Sequence, residues 1–151
     1  MKHVLIALAA VALLALAACG DDDDSGPDIS DVCPENPSPA RESTVVLESP
    51  DQGAEVTNPI QLSGMIKAFN SRFYVAIIAA DGTHLLDDYP GMVSEPDVLV
   101  PFQLSVPFFV QEPTEACVLI GRQAFADESR DVETLQLAVT LLPAETPAVS
   151  P

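Results

Sequence analysis

Positive charge is scarce in this chain: six Lys and Arg stand against 23 Asp and Glu over 151 residues, a formal charge of −17. With no local basic cluster, counterion release from a polyphosphate has nothing to act through, which excludes a DNA or RNA partner. Histidine is almost missing, with only His3 and His84 present. A zinc site or a Ser-His-Asp centre would rest on His84, and no Gly-x-Ser-x-Gly elbow accompanies it. Tryptophan is absent. The longest apolar run, residues 4–18, falls short of the about 20 residues a helix needs to cross a bilayer core. There is no internal repeat of the kind that builds propellers or solenoids. At this length a large multidomain enzyme is excluded, and one small domain with some leftover chain fits.

What is present begins with an address. Met1-Lys2-His3 supplies a short positive start, VLIALAAVALLALAA follows over residues 4–18, and Leu16-Ala17-Ala18-Cys19-Gly20 closes the run. That ending resembles the lipobox of bacterial lipoproteins, so residues 1–18 read as a lipoprotein signal peptide. The alternatives are a simple cleaved secretory peptide and an uncleaved anchor. The resemblance implies a diacylglyceryl thioether on Cys19 together with an amide-linked acyl chain. Two or more chains hold a protein stably at a membrane where one holds it reversibly. No other cofactor is expected. The expected location is the bacterial cell envelope, anchored to the plasma or outer membrane, with the rest facing the periplasm or exterior. Gly20-Asp21 after the Cys does not decide between the two membranes.

Residues 19–42 carry four consecutive Asp and several Pro, with Ile29 and Val32 as the aliphatic content beyond the Cys. Such a stretch cannot bury enough surface to offset chain ordering, so it is expected to be an acidic linker. Residues 143–151, PAETPAVSP, are expected to be a loose tail.

Between them, residues 43–142 show a period of two. Phe102, Leu104, Val106 and Phe108 alternate with Gln103, Ser105 and Pro107, and Leu135, Leu137, Val139 and Leu141 alternate with Gln136, Ala138 and Thr140. Ile60, Leu62 and Gly64 follow the same rule. FYVAIIAA over 73–80 and ACVLI over 116–120 are apolar on both sides, as in sheet centres. Asp81-Gly82 predicts a two-residue hairpin turn, while Pro50-Asp51-Gln52-Gly53, Asn58-Pro59 and Tyr89-Pro90-Gly91 predict other corners. Pro101 and Pro107 place their strand at a sheet edge or mark its ends. The expected strands cover 44–48, 59–64, 72–80, 83–88, 98–107, 115–125 and 133–141. Seven strands in about 100 residues suit an all-β two-sheet sandwich.

Ser49-Pro50, Val56-Thr57-Asn58-Pro59-Ile60, Leu62-Ser63-Gly64, Phe69, Asp81-Gly82, Pro101-Phe102 and Ala124-Phe125-Ala126-Asp127 together resemble the bacterial spore germination immunoglobulin-like domain, over about residues 44–141. The resemblance implies an immunoglobulin-like sandwich in an envelope protein, an interaction module without enzymatic activity or a defined ligand. The chain departs from the family pattern at Asn70, where an acidic residue is usual, and at Glu128, where a Gly is usual. Without Trp the antibody-type Cys-Trp-Cys arrangement is excluded.

Candidate chemistry is sparse. Cys33 and Cys117 remain once Cys19 is lipidated, and an even pair in an oxidising compartment predicts a disulfide. The competing reading is an inert core thiol at 117 and a free thiol at 33. Asp127, Glu128 and Asp131 are loop acids that could form a weak calcium site, and Asp87-Asp88 are similar. Asp21–Asp24, Asp28 and Asp31 lack the spacing that wraps one ion. Tyr74 and Phe109 are candidate partner contacts, Phe109 because it opposes Phe108 across a regular strand. No catalytic residue is expected. The sequence reading is thus a lipid-anchored interaction domain for an envelope protein or polymer, bound through strand edges and loops. A calcium-responsive module is the alternative, and a hydrolase comes last. Nothing in the residues fixes the oligomeric state.

Overall fold

The computed structural model describes residues 29–33, 39–121 and 133–144. After a single helical turn, α1 (Ile29–Val32), eight strands follow: β1 (Val45–Ser49), β2 (Glu55–Val56), β3 (Ile60–Lys67), β4 (Arg72–Ala79), β5 (His84–Met92), β6 (Leu99–Val106), β7 (Thr114–Gly121) and β8 (Thr134–Leu141). They form a three-stranded sheet in the order β1-β3-β6 and a five-stranded sheet in the order β2-β8-β7-β4-β5. All pairs are antiparallel except β2 with β8, where Glu55 and Val56 run alongside Thr140 and Leu141. The all-β sandwich expected from the period of two is therefore what forms.

Alternation decides the core. Phe73, Val75 and Ile77 of β4, Ala116, Val118 and Ile120 of β7, and Leu137, Val139 and Leu141 of β8 point inward. They share one buried cluster with Ile60, Leu62 and Ile66 of β3 and with Phe102 and Val106 of β6. Phe102 meets Phe73 edge to face, centroids 5.1 Å apart, a geometry that adds about 0.5–1.5 kcal/mol beyond area burial. Two glycines make this packing possible. A Cβ on Gly91 would stand 2.1 Å from the Phe73 ring, and one on Gly64 would stand 2.1 Å from the Val46 carbonyl oxygen. Gly64 lies opposite Leu47, next to the register shift that bends β1.

The sequence expectation needs four corrections. First, the strand count is eight, because the chain leaves β1, passes Gly53 and makes a two-residue pairing with β8. Two residues are too few for a visible period. Second, β5 does not stop at residue 88: Tyr89-Pro90-Gly91 continues it to Met92. A bulge at Asp87-Asp88 re-registers the strand, with Asp88 at φ 46°. Pro90 is tolerated because β5 is an edge strand with one side of its ladder unused. Third, Asp81-Gly82 closes a three-residue loop. Gly82 N–H donates to the Ala79 carbonyl and Ala79 N–H to the Thr83 carbonyl, both at 2.8 Å. Gly82 at φ 87° takes the left-handed position of this turn-plus-bulge hairpin. Fourth, residues 29–33 and 39–42, expected as linker, are held on the body. Ala40 N–H donates to the Thr134 carbonyl at 2.7 Å, and Val32 is buried. The strand expected over 115–125 is described only as far as Gly121.

The β3–β4 connection also explains one departure from the family pattern. Asn70 and Ser71 both have positive φ, 52° and 62°, and Arg72 N–H donates to the Phe69 carbonyl at 3.1 Å. Two successive left-handed residues make a type I′ turn, where Asn is favoured after Gly.

Candidate functional site

Phe109 is the most exposed aromatic among the described residues. From Leu99 to Val110 burial alternates residue by residue, so the pleat of β6 runs on past Val106. Phe108 and Val110 anchor in the core, and the Phe108 N–H donates to Asn58 Oδ1 at 3.0 Å. This holds Phe109 outward at 75% exposure. Tyr74, the other candidate contact, is half-buried on the outer face of the five-stranded sheet, opposite Pro90 on one side and Gly121 on the other. Phe109 follows the Val106 end of β6, which pairs with Ile60 at the far end of the other sheet. The structure therefore does not bring Tyr74 and Phe109 together.

The outer face of the five-stranded sheet has its own apolar layer. Ala76, Cys117 and Leu119 are buried there, with Ile78 and Cys33 packed against them. This second layer is why 73–80 and 116–120 are apolar on alternate as well as inward positions. Cys33 and Cys117 are bonded, with S–S 2.01 Å and Cα atoms 4.9 Å apart, closing a sequence separation of 84. Cys117 points away from the sandwich interior, so the bond fastens α1 to the outside of the sheet and does not join the two sheets.

His84 pairs with Asp87 across the start of β5, Nδ1 to Oδ1 at 2.7 Å, with both side chains more than half exposed. Among the described hydrogen bonds the imidazole has no hydroxyl or thiol partner. At the neighbouring hairpin, Thr83 N–H donates to Asp81 Oδ1 at 2.8 Å. That bond, with a further one from the Thr83 side chain, holds the Asp81 carboxyl below the ordinary aspartate range. Both pairs organise an exposed hairpin.

An open cleft of about 310 Å³ lies in the seam between β1 and β8, lined in part by Val46, Leu47, Gln52 and Gln136. Among the described residues no group of His, Cys, Asp or Glu is arranged to hold a metal ion. Asp127, Glu128 and Asp131, the weak calcium alternative, lie outside the described residues, as do Cys19 and the expected signal peptide at residues 1–18. Asp87 and Asp88 are described, and Asp87 is directed to His84.

A sandwich of three and five strands, with its first strand divided between both sheets, has an immunoglobulin-like architecture. The match is specific. The family model for the immunoglobulin-like domain of bacterial spore germination covers residues 44–129, more than half of the chain, and the chain belongs to that family. No curated protein and no solved structure matches it.

Proposed function

We propose that this protein is a membrane-moored, non-catalytic interaction module that binds an envelope protein or polymer through loops and outward side chains, Phe109 foremost. The observation that carries the reading is Phe109 itself, which is 75% exposed although the residues on both sides of it are locked into the core. An aromatic ring held rigidly in water gives up little conformational entropy on contact and buries a large area.

Strand addition is the less suitable mode. Both long edge strands carry a proline, Pro90 in β5 and Pro101 in β6, and β5 and β1 are bulged. Prolines and bulges are the devices that keep an edge from pairing with another chain. Mooring rests on the lipobox-like Leu16-Ala17-Ala18-Cys19. With α1 held on the sheet and Cys33 fastened to Cys117, the leash between a lipid on Cys19 and the body is residues 20–28. Its full extension is about 30–32 Å, at about 3.3–3.6 Å per residue.

The test is photocrosslinking in intact cells with Phe109→p-benzoylphenylalanine, compared with the same probe at exposed Gln103. The expected result is a discrete adduct from position 109, lost when Cys19→Ala releases the chain from the membrane. Equal labelling from both positions, or none, would refute the reading.

A further inference from the structure

Four of the large apolar residues left exposed, Phe69, Met92, Val98 and Leu99, gather at one end of the sandwich. Strand register places them there. Arg72 is opposite Met92 at the β4–β5 end, and Lys67 is opposite Leu99 at the β3–β6 end. Between these ends, Asp97 N–H donates to the Ala68 carbonyl at 2.8 Å and Val93 N–H to the Ser71 carbonyl at 3.0 Å. Met92 is 73% exposed.

The charges are sorted along the same axis. Arg41, Lys67 and Arg72 are the Lys and Arg of the described residues. Lys67 and Arg72 are at this end, and Arg41 joins them, because Thr44 N–H donates to the Arg41 carbonyl and Lys67 N–H to the Thr44 carbonyl. Lys67 and Arg72 each sit across the ladder from an exposed apolar side chain, and neither is drawn into an ion pair among the described residues. Glu42, Glu95, Asp97 and Glu133 lie at the same end, four described acids beside the three cations, Glu133 accepting from the Thr44 hydroxyl at 3.3 Å. The opposite end carries Asp51, Glu55, Asp81, Glu112 and Glu115 with no cation among the described residues. In a chain of charge −17, the turn end is the end that holds all the described Lys and Arg, so among the described residues it is the end that repels an anionic surface least.

Apolar side chains at a tip, with cationic ones beside them, match a lipid–water interface. The apolar groups enter the headgroup boundary while Lys and Arg stems lie along it and their charges meet anionic headgroups. We infer that the β3–β4 turn and β5–β6 connection form a tip that docks onto an anionic bilayer, setting the acidic end and Phe109 to face away from it. This rests on the mooring proposed above. The leash is longer than the body's strands, which span about 27 Å at eight residues, so the tip reaches the surface. The proposal separates two tasks: one end orients the body and the other meets the partner.

The chain has no Trp, so one introduced Trp reports alone. Full-length protein purified from membranes is placed in vesicles of phosphatidylcholine, with and without phosphatidylglycerol, containing brominated lipid as quencher. Phe69→Trp is expected to shift to the blue and lose most of its emission when phosphatidylglycerol is present, and Lys67→Glu with Arg72→Glu is expected to restore it. Phe109→Trp is expected to stay unquenched. Met92→Trp serves as a second reporter if Phe69→Trp does not fold. Protein that floats with the vesicles while the Trp at 69 or 92 stays bright overturns the tip and leaves the mooring standing. Protein that does not float overturns both. A blue shift that grows with protein concentration in the absence of lipid assigns the tip to self-association and overturns bilayer docking.

Discussion

At the scale of single residues, glycine positions differ in kind, and their substitutions are expected to rank accordingly. At Gly64 a Cβ meets backbone, the Val46 carbonyl oxygen, and at Gly91 it meets the Phe73 ring, itself buried and unable to swing away. At Gly82 the space is open and only φ 87° opposes a side chain. Gly82→Ala should therefore cost about 1 kcal/mol. Gly91→Ala should cost about 1–3 kcal/mol by overpacking, with Gly64→Ala at least as severe. Guanidinium unfolding midpoints would check the order, and a Gly82→Ala effect larger than both would contradict it. Asp81 gives a prediction with a sign. Its folded value is depressed by Thr83, so the bond contributes stability at neutral pH and loses it as pH falls through the folded value. The stability gap between the native chain and Asp81→Ala should close in acid, and the Asp81 carboxyl should titrate below the ordinary aspartate value by NMR. Residue-level reading succeeded where sterics are local, as with the outward Phe109. It missed the role of Asn70, because a turn between strands of different sheets leaves no hairpin pattern around it.

Elements were legible in proportion to their length and to how many sides they bury. β6 alternates over eight residues and was readable as a strand with a wet face; β8 was readable as a strand from the same period, but its outer face is not wet, since Thr134 and Ala138 are buried there. β4 and β7 were readable as central strands from their two-sided apolar runs. The reason for that second apolar side was hidden, since it is α1, four residues with no period of their own, held by a bond from Cys33. β5 was cut short in the sequence reading because Tyr-Pro-Gly has the chemistry of a corner, and only the pairing order shows that the strand lies at an edge. The staple supplies the prediction at this scale. Cys33→Ser should lower stability by about 2–5 kcal/mol, the span found for bonds closing long loops, while far-ultraviolet circular dichroism stays that of strands. Amide exchange at Ile29–Val32 should become fast while the inner strands stay protected. Slow exchange in that turn without the bond would show that packing of Val32 is sufficient.

For the molecule as a whole, the two-layer architecture followed from strand number and alternation, but the pairing order did not. Which strand neighbours which is set by contacts far apart in sequence, and the division of the first strand between β1 and β2 depends on the seam with β8. The charge axis is likewise a property of the assembled sheets: Lys67 and Arg72 are isolated cations in the sequence and neighbours of one tip in the fold. The account joins that body to a membrane through Cys19, and its most direct test is the intact mass of the protein extracted from cells in detergent without reductant. The account predicts a chain beginning at Cys19 that carries a diacylglyceryl group and lacks the two hydrogens of free thiols at 33 and 117. A chain still beginning at Met1, or one beginning beyond Cys19 and free of lipid, would contradict it.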